Sequence, residues 1–138
     1  MAFLRGARVI ALGAAVAAAF ATPALAHHSF AMFDATRSIT LHGKATKYQW
    51  TNPHAYLEVD AEDGKGATKH YTLEMTSINM MSRGGWTSRT IKPGDMLTVV
   101  VAPLRDGKPG GLVLEVTLPS GKHMLPGVPN ADRYKRTS

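Results

Sequence analysis

The chain has 138 residues, a formal net charge of +6 and no cysteine. That is one domain's length, and the lack of cysteine excludes disulfides, thiolate metal sites and thiol nucleophiles. The positive charge is scattered among acids such as Asp60, Glu62 and Asp63, which argues against a nucleic-acid surface.

Residues 1–26 read as a secretory signal peptide. Arg5 and Arg8 precede an alanine-rich apolar run over residues 9–20, and Thr22-Pro23-Ala24-Leu25-Ala26 places small residues where signal peptidase reads them. The run is shorter than the roughly 20 residues a membrane span requires. Cleavage after Ala26 would leave 112 residues starting at His27 with a formal charge of +4, exported to the periplasm or beyond. Residues 27–37 read as an N-terminal arm, 38–125 as the folded domain and 126–138 as a flexible tail.

Within the domain, short β-branched and aromatic runs alternate with turn signals. In the first run Ile39, Leu41, Gly43 and Ala45 share one parity, whereas Tyr48 and Trp50 take the other, so a bulge is expected near residues 45–47. Asn52-Pro53 makes a turn. The next two runs alternate cleanly, and matching their apolar faces pairs Val59 with Tyr71, Leu57 with Leu73 and Ala55 with Met75. The same register sets Asp60 opposite His70 and Tyr56 opposite Glu74. Thr76 or Ser77 caps a short helix that can direct Ile78, Met81 and Met80 to the core and stops at Gly84-Gly85. Two more strands follow, the last presenting Leu112, Leu114, Val116 and Leu118 inward, and residues 119–125 add a short hairpin arm. Three strands, a helix and two strands suit an all-β fold, a small five-stranded OB-like Greek-key barrel, with an open β-sandwich as the alternative.

His27-His28-Ser29-Phe30, Trp50-Thr51-Asn52-Pro53-His54, Arg83-Gly84-Gly85-Trp86, Ile91-Lys92-Pro93-Gly94-Asp95 and Pro103-Leu104-Arg105-Asp106-Gly107 together resemble a family of bacterial exported proteins catalogued as domain of unknown function 6152. The family pattern has one glycine before the tryptophan where this chain has two. The resemblance spans nearly the whole mature chain; it implies export and a compact β architecture, and no established activity.

Chemistry enters through processing. A new terminus at His27 offers an α-amine, which titrates near 8, beside its own imidazole Nδ1. The two together chelate one metal ion, with Cu²⁺ the tightest of the divalent ions that imidazole suits. His28 or His54 would add a third nitrogen, as in a histidine brace, and Asp34 could supply an oxygen. The competing reading makes the histidine pair an incidental flexible start. His54 could instead bond turn carbonyls. His70 reads as a surface partner of Asp60, His42 as solvated, and His123 has no evident partner.

Met75, Met80 and Met81 fit core filling better than soft copper ligation. Trp50, Tyr56 and Trp86 are candidates for a ligand-stacking platform, against the alternative that the tryptophans close the barrel ends. Glu58 and Glu74 lack an apolar pocket, and no serine has a nucleophile-elbow setting. The sequence therefore favours a non-catalytic exported binding or accessory module, with copper held by His27, His28 and His54 as its sharpest form. A copper oxidase-like enzyme and a metal-free barrel binding a small ligand or a periplasmic protein partner are the alternatives.

Overall fold

The computed structural model describes residues 30–62 and 66–134. The signal segment, His27 and His28, the centre of the hairpin loop at 63–65 and the last four residues lie outside them. The residues from Met32 onward form one compact unit, described below.

The described residues of this unit form six strands and one α-helix: β1 (Ile39–Gln49), β2 (Tyr56–Glu62), β3 (Thr68–Glu74), α1 (Ile78–Arg83), β4 (Met96–Pro103), β5 (Gly110–Thr117) and β6 (His123–Met124). β1 pairs antiparallel with both β2 and β4, β2 with β3, and β4 with β5. A parallel pairing of Thr72–Glu74 with Gly110–Leu112 joins β3 to β5 and closes the ring. The strand order 1-2-3-5-4, with the helix between β3 and β4, is the OB-like barrel expected; the open sandwich is excluded by that closure. Closure also removes most of the unpaired strand edge that would otherwise invite association.

β1 reaches both neighbours because it bends. Its register against β2 shifts between Ala45 and Lys47, where the change of apolar parity predicts a bulge. The extra residue, Thr46, fixes the bulge by donating from its hydroxyl to the Glu58 carbonyl at 3.2 Å. At Gly43, paired to Ala61 on one side and Leu97 on the other, an added Cβ would stand 2.3 Å from the Asp60 carbonyl oxygen. Only glycine permits so close an approach of two backbones.

The β2–β3 hairpin has the register read from the sequence, including Leu57 with Leu73, Val59 with Tyr71, Tyr56 with Glu74 and Asp60 with His70. Its inward residues join Leu41, Leu97, Val99 and Val101 in the barrel core. Each fully buried Leu or Val contributes roughly 1.5–3 kcal/mol relative to exposure. Helix α1 is capped by the Ser77 side chain, which accepts from the Met80 amide, and ends at Gly84. Met81 is buried beneath it while Met80 is exposed. Thr76, the other candidate cap, is buried and donates its hydroxyl to the Pro126 carbonyl.

β5 departs from the expected alternation. A second register shift, between Val100 and Val101 of β4, skips Leu114, so the barrel core takes Val113 and Val116. Leu112 and Leu114 are buried outside that core, and Leu118 is half-buried against it. The expected inward set holds at Val116 and Leu118 and fails at Leu112 and Leu114, because an unmarked bulge inverts the parity midway along the strand. β5 turns through Leu118 and Lys122 into β6, the short hairpin arm expected there. Beyond it, Pro126, Val128 and Tyr134 are buried, so the described part of the segment read as a tail carries three buried side chains.

Candidate functional site

Met32 to Asp34 are fixed along the end of β4. Phe33 bridges to Leu104, the Asp34 amide donates to the Pro103 carbonyl at 2.8 Å, and the Arg105 amide donates to the Met32 carbonyl at 2.9 Å. Phe33 is 2% exposed, which makes this attachment hydrophobic as well as hydrogen-bonded. The Asp34 carboxylate is engaged locally. The Thr36 hydroxyl and amide donate to it and Arg37 pairs with it, so its pKa is lowered, chiefly by the Thr36 side chain. That leaves it a poor candidate for the metal oxygen considered from the sequence.

Met32 and Phe33 line a groove of about 410 Å³ together with Tyr56, Thr72, Glu74 and Leu104. At its edge stands the one sequence-nominated histidine among the described residues. His54 follows the cis Asn52–Pro53 bond, just before β2, and its Nδ1 lies 2.5 Å from Oε1 of Glu74. The side chains are 25% and 14% exposed, so the pair is screened from bulk water more than any other histidine–carboxylate pair described. Glu74 was not singled out as the partner of His54, although the hairpin register carried the signal: with Tyr56 opposite Glu74, His54 is Glu74's diagonal neighbour on the same face. Tyr56, between them, has its pKa raised by burial first and by the Glu74 charge second.

The remaining histidines among the described residues, His42, His70 and His123, lie on the surface. His70 Nδ1 lies 2.7 Å from Asp60 as the register requires, and its Nε2 lies 3.3 Å from Glu58, again a diagonal pair. His42 Nδ1 meets the Thr98 hydroxyl at 3.0 Å. His123, read without a partner, sits 2.6 Å from Glu115 because β6 folds back opposite Thr117. No three His, Asp or Glu side chains converge as a metal site among the described residues.

The aromatic platform does not form. Trp86 is 1% exposed and donates its indole N–H to the Leu125 carbonyl at 2.9 Å, so it is a core residue that ties down the segment after β6. Trp50 packs against the core beside Tyr48, with ring centroids 6.1 Å apart. Of the three nominated aromatics, Tyr56 alone lines the groove. Met75 and Met81 are buried in the core, as filler.

Searches of curated proteins and of solved structures return no match to this chain. Residues 15–114, which include β1 to β4, α1 and the start of β5 that closes the barrel on β3, match a family of unknown function, DUF6152. The resemblance first carried by the histidine pair, the Asn52-Pro53-His54 turn and the two glycine–aspartate turns is thereby established: the chain belongs to the DUF6152 family.

Proposed function

We propose that this protein is a non-catalytic copper-binding accessory module of the periplasm, formed when the signal segment is cut after Ala26. The metal is held by the α-amine and Nδ1 of His27, with His28 close by in sequence and Nε2 of His54 as the third nitrogen. The observation that carries the proposal is the 2.5 Å contact between His54 Nδ1 and Glu74. A carboxylate on one ring nitrogen fixes the tautomer and orientation of the imidazole and directs the other nitrogen to a metal, the arrangement common around ligating histidines.

The test begins with mass spectrometry of the exported protein, which should find His27 as its first residue. Copper(II) titration followed by electron paramagnetic resonance should then give one site per chain with nitrogen hyperfine structure. An added N-terminal alanine removes the chelate and should abolish that spectrum. Glu74→Gln should weaken binding about 10- to 100-fold, the usual cost of losing a carboxylate behind a ligating histidine. Equal affinity of the native and alanine-extended proteins would refute the amine as ligand. Unchanged affinity in His54→Ala would remove the third nitrogen.

A further inference from the structure

Only residues 72–74 of β3 pair with β5, so the earlier half of that strand has β2 on one side and no strand on the other among the described residues. Against this half lies a cleft of about 430 Å³, within the size range of small-molecule sites. Its floor is apolar, from Ile39, Tyr71 and Leu104. Its rim is cationic: Arg37 comes from the segment before β1, Lys69 and His70 from β3, and Lys108 from the β4–β5 loop.

No carboxylate is among the described residues that line the cleft. The acids that balance its rim stand outside it. Asp34 is 3.2 Å from Arg37, and Asp106 is 3.7 Å from Lys108. Both are solvent-exposed pairs, of a kind worth about 0–1 kcal/mol, so a ligand can take over either cation at little cost. His70 is held between Asp60 and Glu58 and serves as wall rather than anchor. The apolar floor is closely packed where it meets the barrel seam, since a Cβ at Gly110 would stand 2.8 Å from the Leu104 side chain and 2.9 Å from the Thr72 carbonyl oxygen.

We propose that this cleft binds a small amphiphilic anion, its carboxylate or phosphate head held by Arg37, Lys69 and Lys108 and its apolar body seated on Ile39, Tyr71 and Leu104. Neither half of the cleft accounts for the other. A bare inorganic anion would leave the floor wet, and a neutral apolar molecule would make no use of the cationic rim. The planar Arg37 guanidinium suits a two-oxygen head in a way a lysine alone does not. The proposal is independent of copper.

The experiment is a titration of the metal-free, processed protein with octanoate, octyl phosphate, octanol and inorganic phosphate, followed by amide chemical shifts. Octanoate or octyl phosphate should give saturable shifts at Lys69, Tyr71, Leu104, Lys108 and Gly110. Its affinity should exceed that of octanol and of inorganic phosphate by about tenfold or more, the equivalent of 1.4 kcal/mol. The better of the two names the head group. The Arg37→Gln/Lys108→Gln double variant, altered only at exposed positions, should lose that advantage while octanol binding stays as it was. Equal binding of octanol would reduce the cleft to an apolar surface, and equal binding of phosphate would reduce it to a charge cluster. Either result overturns the proposal, as does the absence of saturable shifts or full retention of octanoate and octyl phosphate binding by the double variant.

Discussion

The β2–β3 hairpin and the β4–β5 pair are both antiparallel, and both contribute to one core, yet they are built differently. The hairpin holds a single register through seven pairs, from Tyr56 opposite Glu74 to Glu62 opposite Thr68. Its inner face is apolar, and its outer face carries histidines and carboxylates that meet directly or diagonally. The β4–β5 pair shifts register once, and from Gly110 to Leu114 both faces of β5 are buried. The difference arises from closure. β5 keeps β4 on one edge through Gly111 while Gly110–Leu112 pair in parallel with β3 on the other, and a strand with no wet face has no alternation to hold it in register.

The largest effects should separate these two designs. In the hairpin, stability rests on side chains that fill the core, so Leu73→Ala, at a position with 0% exposure, should cost about 2–5 kcal/mol. In the closure, it rests on missing side chains. A Cβ at Gly111 would lie 2.3 Å from Val101 Cγ1 and 2.4 Å from the Ala102 carbonyl oxygen, so Gly111→Ala should cost about 1–3 kcal/mol by overpacking against backbone that has nowhere to move. The exposed Thr72→Ala, between the two, should stay within about 0.5 kcal/mol. Denaturant midpoints measure all three. An unaffected Gly111→Ala protein would show that the seam does not depend on close approach.

The same contrast explains what was legible. The hairpin register, the bulge of β1 and the capped helix each leave a mark in residue type: clean alternation, a switch of apolar parity around Thr46, and serine before Ile78 with glycine after Arg83. The bulge at Leu114 leaves none, because Leu112, Val113, Leu114 and Val116 are all apolar and either parity fits. A structural role for Trp86 was open to the sequence, but its partner was hidden, being a backbone carbonyl 39 residues away. At the candidate site, the His54–Glu74 bond was implicit in a register already read. What escaped was the diagonal geometry that turns facing strands into side-chain pairs. His27 and His28 lie outside the described residues, so their chemistry rests on sequence.

The end of β1 tests the comparison from the other direction, since here the barrel carries a polar atom it does not use. Tyr48 lies past the bulge, packed against Trp50, and its hydroxyl is shielded from solvent with no hydrogen-bond partner among the described residues. Burial alone pushes its phenol pKa well above the ordinary tyrosine value. Removing an unsatisfied buried hydroxyl should not destabilise, so Tyr48→Phe should leave stability unchanged or raise it by about 1 kcal/mol. A loss of that size in thermal or denaturant unfolding would mean the hydroxyl is bonded after all.

The smallest effect belongs to the outer face of the hairpin. The hydrogen bond to Asp60 raises the His70 pKa above 6.5, assisted by the Asp60 charge and by Glu58 and opposed by slight desolvation. A histidine whose folded pKa exceeds its unfolded value contributes stability that is fully present below the unfolded pKa, near 6.5, and is lost as pH rises through the folded pKa. The ring is half exposed, so solvent screening keeps the contribution small. A proton NMR titration of the His70 ring should place its midpoint above 6.5, the ordinary histidine value. Asp60→Asn should lower the His70 midpoint and flatten the decline of stability above pH 6.5. A midpoint that Asp60→Asn leaves in place would assign the shift to Glu58, and with it the diagonal rather than the facing pair as the stronger contact on this face.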